Sequence, residues 1–307
     1  MADLDYFSAN DPAAAPPFSG RLVAAGIICL IVALLLGFVA VMLGSELYRM
    51  IRYPYRQEWL AVIPPWLAVA GSTVFFAIIG LGLLTRRRWS RPLVLIYAAI
   101  WLTHGAAIFL VGFCWAAIDV YRQTADGFRY FSWEYFFKMV GLSLASLGFA
   151  TIGMPAIFLL LLQPTHTQRT LELYDFRPRW TDGLPQARAA VVMNVTVLAA
   201  VALWFWANWP SRYWIDSHDG WLAVAFAVTP LPLIIAAGLL AFGGVRRQWA
   251  AIGLMSLCFA LFVYAGFSRG PRSNFRYSDA TSFLAYFLAV TAACLMQTRR
   301  LIRASMR

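Results

Sequence analysis

The stretch RLVAAGIICLIVALLLGFVAVMLGSE, residues 21–46, decides the fold class. Between Arg21 and Glu46 the only ionisable side chain is the thiol of Cys29. About 20 apolar residues in a helix cross the hydrocarbon layer of a bilayer, and this run is longer than that. Its apolar residues do not alternate with polar ones, so no half-buried strand is indicated. A helix also satisfies its own backbone groups in lipid. The apolar part, Leu22 to Gly44, exceeds a signal-peptide core and is followed by no small-x-small cleavage pattern, so it is expected to be retained.

Runs of the same kind recur along the chain, eight in all: Arg21 to Glu46, Leu60 to Thr85, Pro92 to Ile118, Phe137 to Leu162, Ala189 to Trp209, Trp221 to Val245, Trp249 to Ser268 and Ala280 to Thr298. The predicted fold class is therefore all-α, a polytopic integral membrane helical bundle. Composition agrees: 61% of the 307 residues are hydrophobic and 13% charged, against about 25% charged in soluble domains. A disordered chain, a disulfide scaffold and an ordinary cytosolic enzyme are excluded, because so little polar surface could not cover so apolar a core. Cys29, Cys114, Cys258 and Cys294 sit far apart inside apolar runs, which indicates neither disulfides nor zinc.

The formal charge of +11 falls in short arginine clusters between the runs, a pattern of loops retained on one side of a membrane rather than of a nucleic-acid surface. With eight spans, the side bearing both termini collects 15 of the 25 cations. Both termini are expected in the cytoplasm, and the setting is expected to be a bacterial inner membrane. Arginine supplies every cation but Lys138, which fits a GC-rich coding bias.

Four short matches recur in the same order in both halves. Trp59-Leu60-Ala61-Val62 returns as Trp221-Leu222-Ala223-Val224, and Arg86-Arg87-Arg88-Trp89 is echoed by Arg246-Arg247-Gln248-Trp249. Gly112-Phe113 answers Gly266-Phe267, and Phe128-Arg129-Tyr130 answers Phe275-Arg276-Tyr277. Collinearity points to a duplicated 4+4 organisation. It divides the chain into a flexible tail (1–20), a first four-helix repeat (21–162), a linker (163–188), a second repeat (189–298) and a basic tail (299–307). An even number of spans per unit predicts a parallel repeat about a pseudo-two-fold axis normal to the membrane.

Loops on the side opposite the termini are rich in tyrosine and tryptophan alternating with arginine and carboxylate. They suit the membrane interface, and they also suit a lipid headgroup, sugar or peptide held by stacking and charge-assisted hydrogen bonds. Candidate ligand-binding residues there are Arg52, Arg56, Glu58, Asp119, Arg129 and Asp219, joined by His104 as the one ionisable group near mid-membrane other than cysteine. No Asp, Glu, Lys or Arg occupies the middle of a run, which argues against coupled transport and voltage sensing. His166 and His218 fall in loops on opposite faces, so bis-histidine haem is not expected, and no cofactor is implied. His104 is expected as a buried imidazole bonded to a threonine or a backbone carbonyl. A Ser143–His104 dyad fails on depth, by about 12 Å along the helix axes. Gly141, Ala145 and Gly148 are expected at a close helix contact, and Asn194 as an interhelical hydrogen-bonding residue. Pro155, Pro230 and Pro232 predict kinks. Asp216-Ser217-His218-Asp219 is too local to converge on a metal.

Three functions fit: a non-catalytic membrane protein that binds, senses or scaffolds; an uncoupled permease or channel for a small or amphipathic molecule; and a lipid- or glycolipid-active enzyme. The first is preferred, because it needs no buried charge and no soluble domain. The enzyme would have to draw on Glu46, Glu58, Asp119, Asp126 or Asp219.

Overall fold

The structure is a computed structural model that describes residues 20–52, 59–125, 133–163, 185–207, 220–242, 244–267 and 278–305, together with 167, 170–172 and 175. Among these residues there is no strand. The elements are α1 (Gly20–Arg52), α2 (Trp59–Leu84), α3 (Ser90–Ala125), α4 (Trp133–Gly148), a π-helical stretch (Phe149–Gly153), α5 (Met154–Leu162), α6 (Gln186–Ala207), α7 (Gly220–Val228), α8 (Pro230–Phe242), α9 (Val245–Phe267) and α10 (Ser278–Ser305).

Among the described residues seven segments are long and apolar enough to cross a membrane: Gly20–Arg52, Val62–Leu84, Ser90–Cys114, Val140–Leu162, Gln186–Phe205, Val224–Phe242 and Val245–Tyr264. Their outward faces carry large apolar side chains, such as Leu34, Phe38, Leu142, Leu160 and Phe242, each at least two-thirds exposed. Water would not tolerate so continuous an apolar belt, whereas lipid covers it at no cost. The chain is a helical, multi-pass membrane protein by this measure. The expected eighth run lies within α10, which packs on α3, α6 and α9.

Two cores form. In the first, α1 packs on α2, α2 on α3, α3 on the segment from α4 to α5, and α5 back on α1. Its interior holds Leu22, Cys29, Leu83 and Leu162 around an aromatic cluster of Phe76, Tyr97, Trp101 and Phe158. In the second, α6 packs on α7 and α8, these on α9, α9 on α10, and α10 back on α6. Phe226, Phe262 and Phe287 meet at centroid separations of 5.0–5.1 Å in its centre. The two join where α3 lies against α6 and α10, and Ala107 of α3 enters the second core. Among the described residues α9, the counterpart of α3 in the repeat, makes no comparable contact with α1 or with α4 and α5. A two-fold relation requires reciprocal contacts. The expected pseudo-two-fold is thus not reproduced at this junction.

Helix irregularities follow the prolines. Met154 donates its N–H to Phe149 O, five residues back, and Pro155 has no N–H to offer the Thr151 carbonyl. The expected single sixth span divides at Thr229, just before Pro230; Pro232 follows inside α8. The α2–α3 turn closes as a Schellman motif, Arg87 N–H to Gly82 O (2.7 Å) and Arg86 N–H to Leu83 O (3.1 Å). Arg86 takes the left-handed position at φ 57° that glycine usually fills.

Parts of the linker and of the basic tail are packed. Thr167, Thr170, Leu171 and Asp175 of the connector are buried against the first unit. Asp175 Oδ2 accepts the Arg88 backbone N–H (3.3 Å), and the Arg88 guanidinium donates to Asp175 O (3.4 Å) and lies 4.0 Å from Glu172. Buried Arg91 donates through Nε to Leu162 O (2.8 Å) and through a terminal nitrogen to Gln163 O (3.3 Å), occupying carbonyls that the end of α5 leaves free. The Arg177–Asp182 segment lies outside the described residues. The expected basic tail continues α10 to Ser305, because Ile302 is buried and anchors its last turns.

Candidate functional site: a polar seam between the two units

Apolar helices in lipid gain little from burying one another, so polar side chains facing a helix contact mark where the chain spends specificity. Such side chains gather where α3, α6 and α10 meet. From α3, the Thr103 hydroxyl donates to Ala99 O (2.9 Å) and accepts from Gln297 Nε2 of α10 (3.1 Å) and Asn194 Nδ2 of α6 (3.4 Å). Asn194 Nδ2 also donates to Gln297 Oε1 (3.4 Å), closing a three-residue ring across three helices. One residue along α3, His104 Nδ1 lies 2.6 Å from the Tyr286 hydroxyl of α10. With Tyr286 donating, the imidazole is the Nε2–H tautomer.

His104 Nε2 and Asn194 Oδ1 are buried without a hydrogen-bond partner among the described residues, although the Asn194 backbone approaches the imidazole. His104 is 8% exposed and Asn194 fully buried. Each unmade bond of this kind costs about 1–3 kcal/mol. On its other side α3 meets the π stretch. A Cβ placed on Gly105 would overlap Thr151 O and come within 2.9 Å of its carbonyl carbon. The Thr151 carbonyl of the π stretch therefore rests directly on the glycine beside His104. Seam, glycine contact and π stretch all lie at one level of α3.

This geometry tests several expectations. Asn194 does bond between helices. His104 is buried as expected; the backbone of Asn194 is close to the ring, and a tyrosine hydroxyl, which was not expected, meets Nδ1. Ser143 is exposed on α4, eight residues before Thr151, about 12 Å from the level of His104. The dyad does not form. Gly148 packs on Phe109 as expected and Gly112 on Leu147, but a Cβ on Gly141 would meet no described atom within 4 Å and Ala145 is exposed, so the close α3–α4 contact is confined to the last turn of α4.

Among the interfacial candidates, Arg52 is exposed at the end of α1. Arg56, Glu58, Arg129 and Asp219 lie outside the described residues, as do Asp126, His166, His218 and the Asp216–Asp219 loop; Asp119 is described only as backbone within α3. Glu46 pairs with Arg49 at 2.9 Å on an exposed turn of α1. Among the described residues no three His, Cys, Asp or Glu side chains cluster to hold a metal. Sequence reasoning missed Thr103, Tyr286 and Gln297. Gln297 alone carried a readable signal, as an amide near the end of an apolar run.

Comparison of the chain with protein families, with curated proteins and with solved structures found no match.

Proposed function

We propose that this is a non-catalytic membrane protein of eight spans, built as two four-helix units and acting by binding, sensing or scaffolding at the membrane. The eighth span is the apolar part of α10, and both termini face the cytoplasm of a bacterial inner membrane. The observation that carries the reading is the chemistry of the seam. Its polar groups bond one another across α3, α6 and α10. Two rings of helices with the same cyclic packing order support the 4+4 repeat, although among the described residues the units meet chiefly through α3. Charge supports the orientation. Arg21, Arg86, Arg87, Arg88, Arg91, Arg188, Arg246, Arg247, Arg299, Arg300 and Arg303 lie at the end of the bundle where α1 and α6 begin, with Glu172 and Asp175 the described acids there.

The ligand on this reading is a lipid headgroup, sugar or peptide at the opposite, aromatic-rich face, near Arg52, Arg56, Glu58, Asp119, Arg129 and Asp219. Purification in mild detergent followed by mass spectrometry of co-purifying lipid and protein tests it. A defined partner, lost on replacing those residues, supports the reading. Turnover of a lipid or glycolipid by the purified protein would overturn it in favour of the enzyme.

One observation favours the permease as a second reading. The π stretch and the two orphaned polar atoms share a level at the junction of the units, where π-bulges and unpaired polar groups often serve function. Solute flux into proteoliposomes, reduced by His104→Phe or Asn194→Leu, would establish it.

A further inference from the structure

The two arginine turns of the repeat meet different fates. In the first, Arg86-Arg87-Arg88-Trp89, the chain supplies its own anion: Asp175 takes the Arg88 backbone N–H, Glu172 stands by its guanidinium, and Arg91 is spent on the carbonyls ending α5. In the second, Gln248 replaces the third arginine and is buried, while Arg246 and Arg247 are exposed. Arg247 donates to Phe242 O (3.1 Å), and no acidic partner for either arginine occurs among the described residues. α10 runs back along α9, so its final turns bring exposed Arg299, Arg300 and Arg303 to the same end. These also have no acidic partner among the described residues. Trp249, half exposed, sits one turn into α9 next to Arg246, the amphipathic anchor expected at headgroup depth.

We infer that Arg246, Arg247, Arg299, Arg300 and Arg303 form a binding surface for anionic phospholipid headgroups, the lipid phosphate taking the place that Asp175 and Glu172 hold in the first unit. Guanidinium is suited to this, since its planar donors match a phosphate in pairs. The inference rests on the proposed placement of this end at the membrane surface. It deepens that proposal by assigning a lipid class and by locating the contact on the second unit.

The test adds phosphatidylglycerol or phosphatidylcholine to the delipidated full chain in neutral detergent and reads bound lipid by native mass spectrometry. Phosphatidylglycerol is expected to be retained preferentially. Arg299→Gln/Arg300→Gln should weaken that retention about 25-fold, from about fivefold per arginine near an anionic surface. Arg299→Lys/Arg300→Lys keeps most of the retention because the charge survives, and Arg49→Gln at the opposite end, where Glu46 already pairs with the guanidinium, leaves it unchanged. Equal retention of the two lipids by the wild-type chain overturns the inference without needing any variant to fold. Displacement of phosphatidylglycerol by millimolar inorganic phosphate overturns the assignment to lipid. A chain that stays monodisperse without detergent would instead remove the membrane placement on which the inference stands.

Discussion

Replacing Gly105 with alanine adds a single carbon at the tightest contact between α3 and the π stretch. The new Cβ would overlap Thr151 O and stand 2.9 Å from the carbonyl carbon and 3.0 Å from Thr151 Cβ, where ordinary contacts are 3.4–4 Å. The obstructing atoms are mostly backbone, so no rotamer change relieves them, and the two helices must part by roughly 0.5–1 Å. Overpacking of this kind costs about 1–3 kcal/mol. Alanine recovers at most about 1 kcal/mol of helix propensity over glycine. Because the overlap is with backbone, the cost falls at the upper end of that range and the net loss is about 2 kcal/mol, which lowers the melting temperature by roughly 4–8 °C at about 2–4 °C per kcal/mol. Thermal denaturation of the detergent-solubilised protein, followed by size-exclusion recovery of the folded species, measures it. Gly253→Ala is the matched control, because nothing lies within 4 Å of a Cβ there, and it should leave the midpoint unchanged or raise it. A Gly105→Ala variant melting at or above wild type would refute the close approach and the register of α3 against the π stretch.

The seam makes further predictions. In a double-mutant cycle, Thr103→Val and Gln297→Leu should couple by about 0.6 kcal/mol and by no more than about 1.7, with the pair less damaging than the sum of the singles; additivity would mean the 3.1 Å bond is not made. Tyr286→Phe strips the partner from His104 Nδ1 and should cost about 1–3 kcal/mol in the same melt, whereas an unchanged midpoint would separate the two side chains. Arg91→Met keeps bulk but removes the bonds to Leu162 O and Gln163 O, for a loss of about 1.5–3 kcal/mol. Asp175→Asn should loosen the connector and speed trypsin cleavage between residues 163 and 188 several-fold, and wild-type cleavage kinetics would show that Asp175 does not hold it.

How much was readable beforehand depended on how local the signal was. Asn194 stood out because an amide in an apolar run needs a partner whatever the fold. Thr103 carried no such mark, since a threonine hydroxyl in a helix can bond the carbonyl one turn back, as it also does here to Ala99. Tyr286 sits near the start of α10, where a tyrosine reads equally well as an interfacial anchor. The packing of the linker was not readable for a related reason. Prolines and mixed charge look the same in a free connector as in one whose Asp175 is clasped by Arg88, because the clasp joins residues 87 positions apart. Gly141 shows the converse: a small-residue spacing permits a close contact, but where along that face α4 approaches α3 is set by the neighbouring helices.

From the sequence alone came the solvent, the helical class and the absence of permanent charge from the middle of the apolar runs. These depend on transfer energies that act residue by residue along about 20-residue windows. The partners of each helix required the tertiary structure. In lipid every apolar face is equally content, so pairing is decided by close contacts such as Gly105 on Thr151 and by hydrogen bonds such as Thr103 to Gln297. These bring together groups that no local pattern links.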